Sequence, residues 1–161
     1  MVWAAISRRG KTPLVFVEEG VKIDRHVYMD MLRWHMLDWA NGLFEDEERC
    51  FQQDEAPSHK AEEVQRFLEK NCPDFIKVDI SPKRQIGEWP PNSPDLNPLD
   101  YAIWSILEEK ACAKPHPTVE SLKRALIKAW DEITIEMLEK IVDNFPKRLE
   151  ACVEAKGGHF E

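Results

Sequence analysis

The chain has 161 residues, with 30 Asp and Glu against 22 Lys and Arg and a formal net charge of −8. That length suits one domain with a real core. The acidic balance excludes a protein held on nucleic acid by bulk charge alone, because neutralising phosphates needs clustered cations. No apolar run reaches bilayer-spanning length, and the first residues lack a signal-peptide layout. Cys50, Cys72, Cys112 and Cys152 have no paired spacing for zinc or a redox couple, which predicts reduced thiols in a soluble intracellular protein.

Val2 to Ile6 and Leu14 to Val17 read as two strands joined by a turn over Arg8 to Lys11, a hairpin. Asp24 is placed to cap a helix running to about Ala40, ended by Asn41-Gly42. Its stripe of Val27, Tyr28, Met31, Leu32, His35, Met36 and Trp39 predicts a buried face, with His35 a packed core histidine. Glu45 to Glu48 reads as a solvated acidic loop. Cys50 to Gln53 reads as a short strand that ends in Asp54. Pro57 then breaks the chain, and Ser58 is placed to cap a helix ending near Asn71. Phe75 to Ile80 alternates as a half-buried strand does, and residues 81–88 read as a loop.

Four prolines between Trp89 and Tyr101 impose a stiff, extended path. Asn97 is placed to cap the next helix, Pro98 suits its first position, and Asp100 falls in its first turn. Ile103, Ile106 and Leu107 give that helix a buried side. Beyond Lys114 to Pro117 the chain is helical, with Thr118 and Thr134 as caps and a last helix after Pro146 ended by Gly157-Gly158. Lys123, Arg124, Lys128, Lys147 and Arg148 read as a solvated basic surface, with a role against phosphates as the alternative.

Two acids thus stand on firm supports, Asp54 at a strand end and Asp100 at a helix start. Taken singly, Asp54 reads as a surface-turn acid and Asp100 as a complement to the helix dipole. Taken together they read as carboxylate ligands for a pair of Mg²⁺ or Mn²⁺ ions. Such a pair activates an attacking hydroxyl and stabilises a leaving oxygen in phosphoryl transfer.

Phe-Gln-Gln-Asp-x-Ala-Pro-x-His at 51–59 and Trp-Pro-Pro-Asn-Ser-Pro-Asp-Leu-Asn-Pro-Leu-Asp-Tyr-x-x-Trp at 89–104 closely resemble the catalytic domain of mariner-superfamily transposases. Met-Val-Trp-Ala at the start, Gly-Lys-Thr-Pro-Leu at 10–14, Phe-Pro-Lys-Arg-Leu at 145–149 and Lys-Gly-Gly-His-Phe at 156–160 extend the resemblance along the chain. It implies an α/β, ribonuclease-H-like (integrase-type) fold: a mixed sheet flanked by helices, with a helical C-terminal third. It also implies Mg²⁺ or Mn²⁺, a DDE/D triad that cuts DNA and joins a 3′-hydroxyl to a target, DNA and a second copy as partners, and a nuclear location. Asp54 matches the second acid and Asp100 the third. His59, Ser93, Asp95 and Asn97 match positions that shape the site.

The resemblance also departs in places. The family's first aspartate lies on a central strand upstream of Met-Val-Trp, and no residue before Asp54 matches it. Glu55 adds charge where a neutral residue is usual, and the interval from Asp54 to Asp100 is long, with residues 81–87 as the expected insertion. The reading is therefore one catalytic domain over 1–161, incomplete at its N-terminus and without a helix-turn-helix region. It is expected to be inactive alone, with a co-opted binding module or an inert remnant as the alternative. Lacking the first central strand, the sheet is expected either to be gapped or to pair Val2–Ile6 directly with Phe51–Asp54.

Overall fold

The structure is a computed structural model, and it describes residues 1–78, 88–90, 93–156, 158 and 160. The chain folds as two compact units, one of residues 1–3 and 15–93, the other of 4–14 and 94–161.

In the first unit β1 (Val2–Trp3) pairs antiparallel with β4 (Val15–Phe16), Val2 opposite Phe16 and Trp3 opposite Val15. Asp24 caps α1 (Arg25–Met31) as its sequence position predicts. Its carboxylate accepts from the amides of His26 at 2.8 Å and Val27 at 3.0 Å. The helix then widens into a π segment over Leu32–Leu37 before resuming as α2 (Asp38–Phe44). The wider turn changes which side chains face inward. Leu37 is buried and His35 is exposed, so the expectation of a core histidine fails. Asn41-Gly42 does not end the helix either; Gly42 lies inside α2, and the chain turns at Glu45, whose φ is +50°.

β5 (Cys50–Phe51) and β6 (Asp74–Phe75) are parallel and joined through α3 (Glu62–Asn71), as a parallel connection requires. The amide of Ile76 donates to the Phe51 carbonyl at 2.9 Å and carries the pairing one step further. Helix α3 starts at Glu62 rather than after Ser58, and its N-cap Ala61 offers no side-chain bond. The core holds Tyr28, Leu32, Met36, Leu37, Ala40, Val64 and Leu68, with Trp3, Phe51, Phe67 and Phe75 packed against it.

In the second unit β2 (Ile6–Ser7) and β3 (Gly10–Lys11) form the tight end of the hairpin. Thr12, 1% exposed, accepts from the Ala5 amide through its hydroxyl at 2.9 Å. A 3₁₀ turn (Pro94–Leu96) and a π segment (Leu99–Ile103) lead into α4 (Trp104–Ala111), followed by α5 (Val119–Asp131), α6 (Ile135–Asp143) and α7 (Phe145–Glu154). Thr118 and Thr134 cap α5 and α6 as expected, Thr118 in a capping box with Ser121. Around Ile103, Leu107, Trp130, Ile133 and Leu138 the hairpin is fastened to the helices. Trp130 donates from Nε1 to the Thr12 carbonyl at 2.8 Å, and Lys11 donates from Nζ to the carbonyls of Trp130 and Ile133. Burial holds the Lys11 ammonium below its ordinary pKa.

Among the described residues the strands form three two-stranded ladders, β1–β4, β2–β3 and β5–β6, rather than one continuous mixed sheet. No ladder joins Val2–Ile6 to Phe51–Asp54, so the direct pairing offered as one of two outcomes does not form among them. Of the expected strand over 75–80 only Phe75 lies in β6; Ile76, Lys77 and Val78 carry no strand, and residues 79–80, like the expected insertion at 81–87, lie outside the described residues.

Candidate active site

Asp54 lies three residues beyond β5, where the chain leaves the ladder. Its Oδ1 accepts from the Ala56 amide at 3.0 Å and lies 2.5 Å from Nδ1 of His59. The same Nδ1 is 3.2 Å from the Asp54 carbonyl. Both neighbours can only accept, so Nδ1 carries the proton and donates. The His59 bond, first, holds the Asp54 carboxyl below its ordinary pKa; burial opposes this, and the Ala56 amide assists. Asp54 is therefore ionised at neutral pH, with its side chain 49% exposed. Both contacts fall on Oδ1, which among the described residues leaves Oδ2 open to a cation.

A buried cluster supports this pair from behind. The Tyr28 ring stacks on His59 with centroids 3.9 Å apart and planes 24° from parallel. Its hydroxyl donates to Oε1 of Gln53 at 2.6 Å. Tyr28 is 1% exposed and Gln53 6%, and burial pushes the Tyr28 phenol well above its ordinary pKa. Gln65 on α3 donates to the His59 carbonyl at 2.9 Å, which ties the turn at 56–60 to a helix. Sequence reading placed Tyr28 on an apolar stripe and gave Gln53 no role. The signal it passed over was a phenol on a buried face, since a buried Tyr hydroxyl has to find an acceptor.

In the second unit Asp100 sits in the π segment that opens the helix. Asn97, 8% exposed, places it: Nδ2 donates to Asp100 Oδ2 at 2.8 Å, and the Asn97 carbonyl accepts from the amides of Asp100 and Tyr101, each at 2.9 Å. The Asn97 side-chain oxygen also accepts from the Leu99 amide at 3.3 Å, so Asn97 does serve the cap that the sequence assigned to it. Asp95 contributes its backbone, because its carbonyl accepts from Nε of Arg148. The Arg148 guanidinium lies over the Tyr101 ring at 4.4 Å and over the Phe160 ring at 5.6 Å. Arg148 is thus a half-buried fastener rather than part of a solvated basic surface. Ser93, in the first unit, donates from its hydroxyl to the Pro90 carbonyl at 2.9 Å.

The structure therefore groups Asp54 with His59 in one unit, and Asp95, Asn97 and Asp100 in the other. Hard carboxylate oxygens, one of them kept ionised and partly open, suit Mg²⁺ or Mn²⁺ better than zinc. Among the described residues no group of three or more His, Cys, Asp and Glu side chains is arranged to hold a metal. The acidic stretch Glu45 to Glu48 is exposed, and all four cysteines are free.

No protein-family model matches the chain. It is 30% identical over 159 residues to the Tc3 transposase of Caenorhabditis elegans, covering 98% of this chain and 44% of that protein. It is 27% identical over 157 residues to the Tcb2 transposase of Caenorhabditis briggsae, covering 98% and 52%. The chain thus spans about half the length, or less, of these relatives. The Mos1 transposase catalytic domain, solved with raltegravir and Mn, superposes with a TM-score of 0.79 at 23% identity, covering 99% of this chain and 76% of that one. A Mos1 paired-end complex with the left transposon end gives 0.77 at 25% identity, covering 99% and 44%. The mixed α/β fold therefore matches that of the Mos1 transposase catalytic domain. By sequence, the chain is homologous to the Tc1/mariner-family transposases.

Proposed function

We propose that this chain supplies the catalytic domain of a cut-and-paste DNA transposase, ribonuclease-H-like in plan, with Asp54 and Asp100 as carboxylate ligands for Mg²⁺ or Mn²⁺. The observation that carries this is the Asp54 carboxylate, three residues beyond β5, held by His59 through Oδ1 and kept ionised, with Oδ2 open among the described residues. When bound, the metal supplies activation of a hydroxyl and stabilisation of the leaving oxygen at a phosphodiester. The chain's own residues orient the ligands: His59 and the Ala56 amide fix Asp54, and Asn97 fixes Asp100. Ser93 and Asp95 shape the turn before the second acid. The solved Mos1 relatives with Mn, and with a transposon end, support divalent metal, DNA and a second copy as partners. Such a protein works on chromosomal DNA, hence in the nucleus. Among the described residues no helix is long and apolar enough to cross a membrane.

Mn²⁺ binding measured by titration calorimetry tests the assignment. Asp54→Asn and Asp100→Asn should each weaken binding by at least about tenfold, because even partners behind a ligand are worth that much. Unchanged affinity in both variants would remove the metal reading. Salt-sensitive DNA binding that needs no metal would then favour a non-catalytic binding module.

A further inference from the structure

The turn that carries Asp54 and His59 is irregular, and an exposed carboxylate beside an imidazole on such a turn would ordinarily be loosely held. Here the imidazole has a rigid backing. Tyr28 comes from α1, a capped helix, is buried to 1% exposure and stacks face to face on His59 at 3.9 Å. Its own rotation is fixed by the 2.6 Å bond to Gln53, the residue immediately before Asp54. Helix, phenol, imidazole and carboxylate thus form a chain of contacts, and the side chain of the residue before Asp54 is tied to the same phenol.

We propose that Tyr28 is a positioning residue for Asp54: its ring holds the imidazole of His59 in the plane that directs Nδ1–H at the carboxylate and so aims Oδ2. This rests on the reading of Asp54 as a metal ligand, and it adds a residue outside both acid-bearing motifs. The ring does the holding; the hydroxyl serves the ring.

Nitrogen-15 NMR of the 161-residue chain at pH 8 tests the geometry without metal. The unmodified chain should show His59 as the Nδ1–H tautomer, with ring protons shifted upfield by the Tyr28 ring current. Tyr28→Phe, which keeps the ring, should preserve both signatures and hold Mn²⁺ affinity within about twofold, whereas Tyr28→Leu should move His59 toward the Nε2–H form and weaken Mn²⁺ by about tenfold. An Nε2–H tautomer or an absent ring-current shift in the unmodified chain would overturn the proposal, even if Tyr28→Leu did not fold. So would a Tyr28→Leu chain that folds and keeps the Nδ1–H form. Asp54→Asn separates the two claims. If it leaves Mn²⁺ affinity unchanged while Tyr28→Leu still shifts the tautomer, the metal reading fails and the positioning stands.

Discussion

His59→Phe isolates what the imidazole does for Asp54, because a phenyl ring can still stack on Tyr28 but donates nothing to the carboxylate. A hydrogen bond to a charged group is worth about 1.5–3 kcal/mol when well shielded. The Asp54 side chain is 49% exposed, so solvent screening brings the expected loss to about 1 kcal/mol. For a chain of this size that lowers Tm by about 3 °C. The pH dependence identifies the cause. The folded-state pKa of Asp54 lies below its unfolded value, so the contribution is complete above an unfolded carboxyl pKa of about 3.9 and fades as pH falls through the folded value. Urea unfolding followed by circular dichroism should therefore show the full gap between variant and parent from about pH 5.5 upward, narrowing as pH falls below the unfolded value and closing once Asp54 is protonated in both states. A gap of constant size across that range would mean that the cost comes from packing against Tyr28, and would refute the bond.

Trp130→Phe removes the donor to the buried Thr12 carbonyl and should destabilise by about 1–3 kcal/mol in urea, with little change in the helical circular dichroism signal. Thr118→Ala breaks the capping box of α5 and should cost about 1 kcal/mol, while Thr118→Ser should recover most of it. Arg148→Lys keeps the charge but loses the planar stack on Tyr101, so thermal unfolding should show a loss of about 1 kcal/mol, and equal stability would argue against the stack. Cys50 is exposed, yet partial burial first, then Asp74 beside it, pushes its thiol up to about 11. Iodoacetamide labelling at pH 7.5 should therefore be slow at Cys50 and should rise steeply toward pH 11.

Features set by local chemistry were legible in the chain. Asp24, Thr118 and Thr134 cap helices because short oxygen-bearing side chains meet the first free amides, and that rule needs no tertiary context. The two acids and their companions were legible as motifs, and Asn97 does hold Asp100. What failed depended on contacts across the fold. A 3.6-residue period cannot anticipate a π segment, so His35 was assigned inward and Leu37 overlooked. The helix after Pro57 starts late because residues 56–60 are already committed to a turn, in which the His59 and Lys60 amides both donate to the Ala56 carbonyl. Arg148 looked like a surface charge because its acceptor, the Asp95 carbonyl, is 53 positions away along the chain.

The fastening of the hairpin to α5 has a consequence for biosynthesis. Thr12 and Trp130 are 118 positions apart, and residues 4–14 join the same compact unit as residues 94–161. At ribosomal speeds of about 5–20 residues per second, Ala4, Ile6 and Leu14 emerge roughly 6–24 s before the helix that covers them. Through that interval a short apolar ribbon is open to chaperones and to misplaced strand partners. Nascent chains stalled before residue 119 should therefore be captured by chaperones far more readily than chains stalled after Leu138 has cleared the exit tunnel.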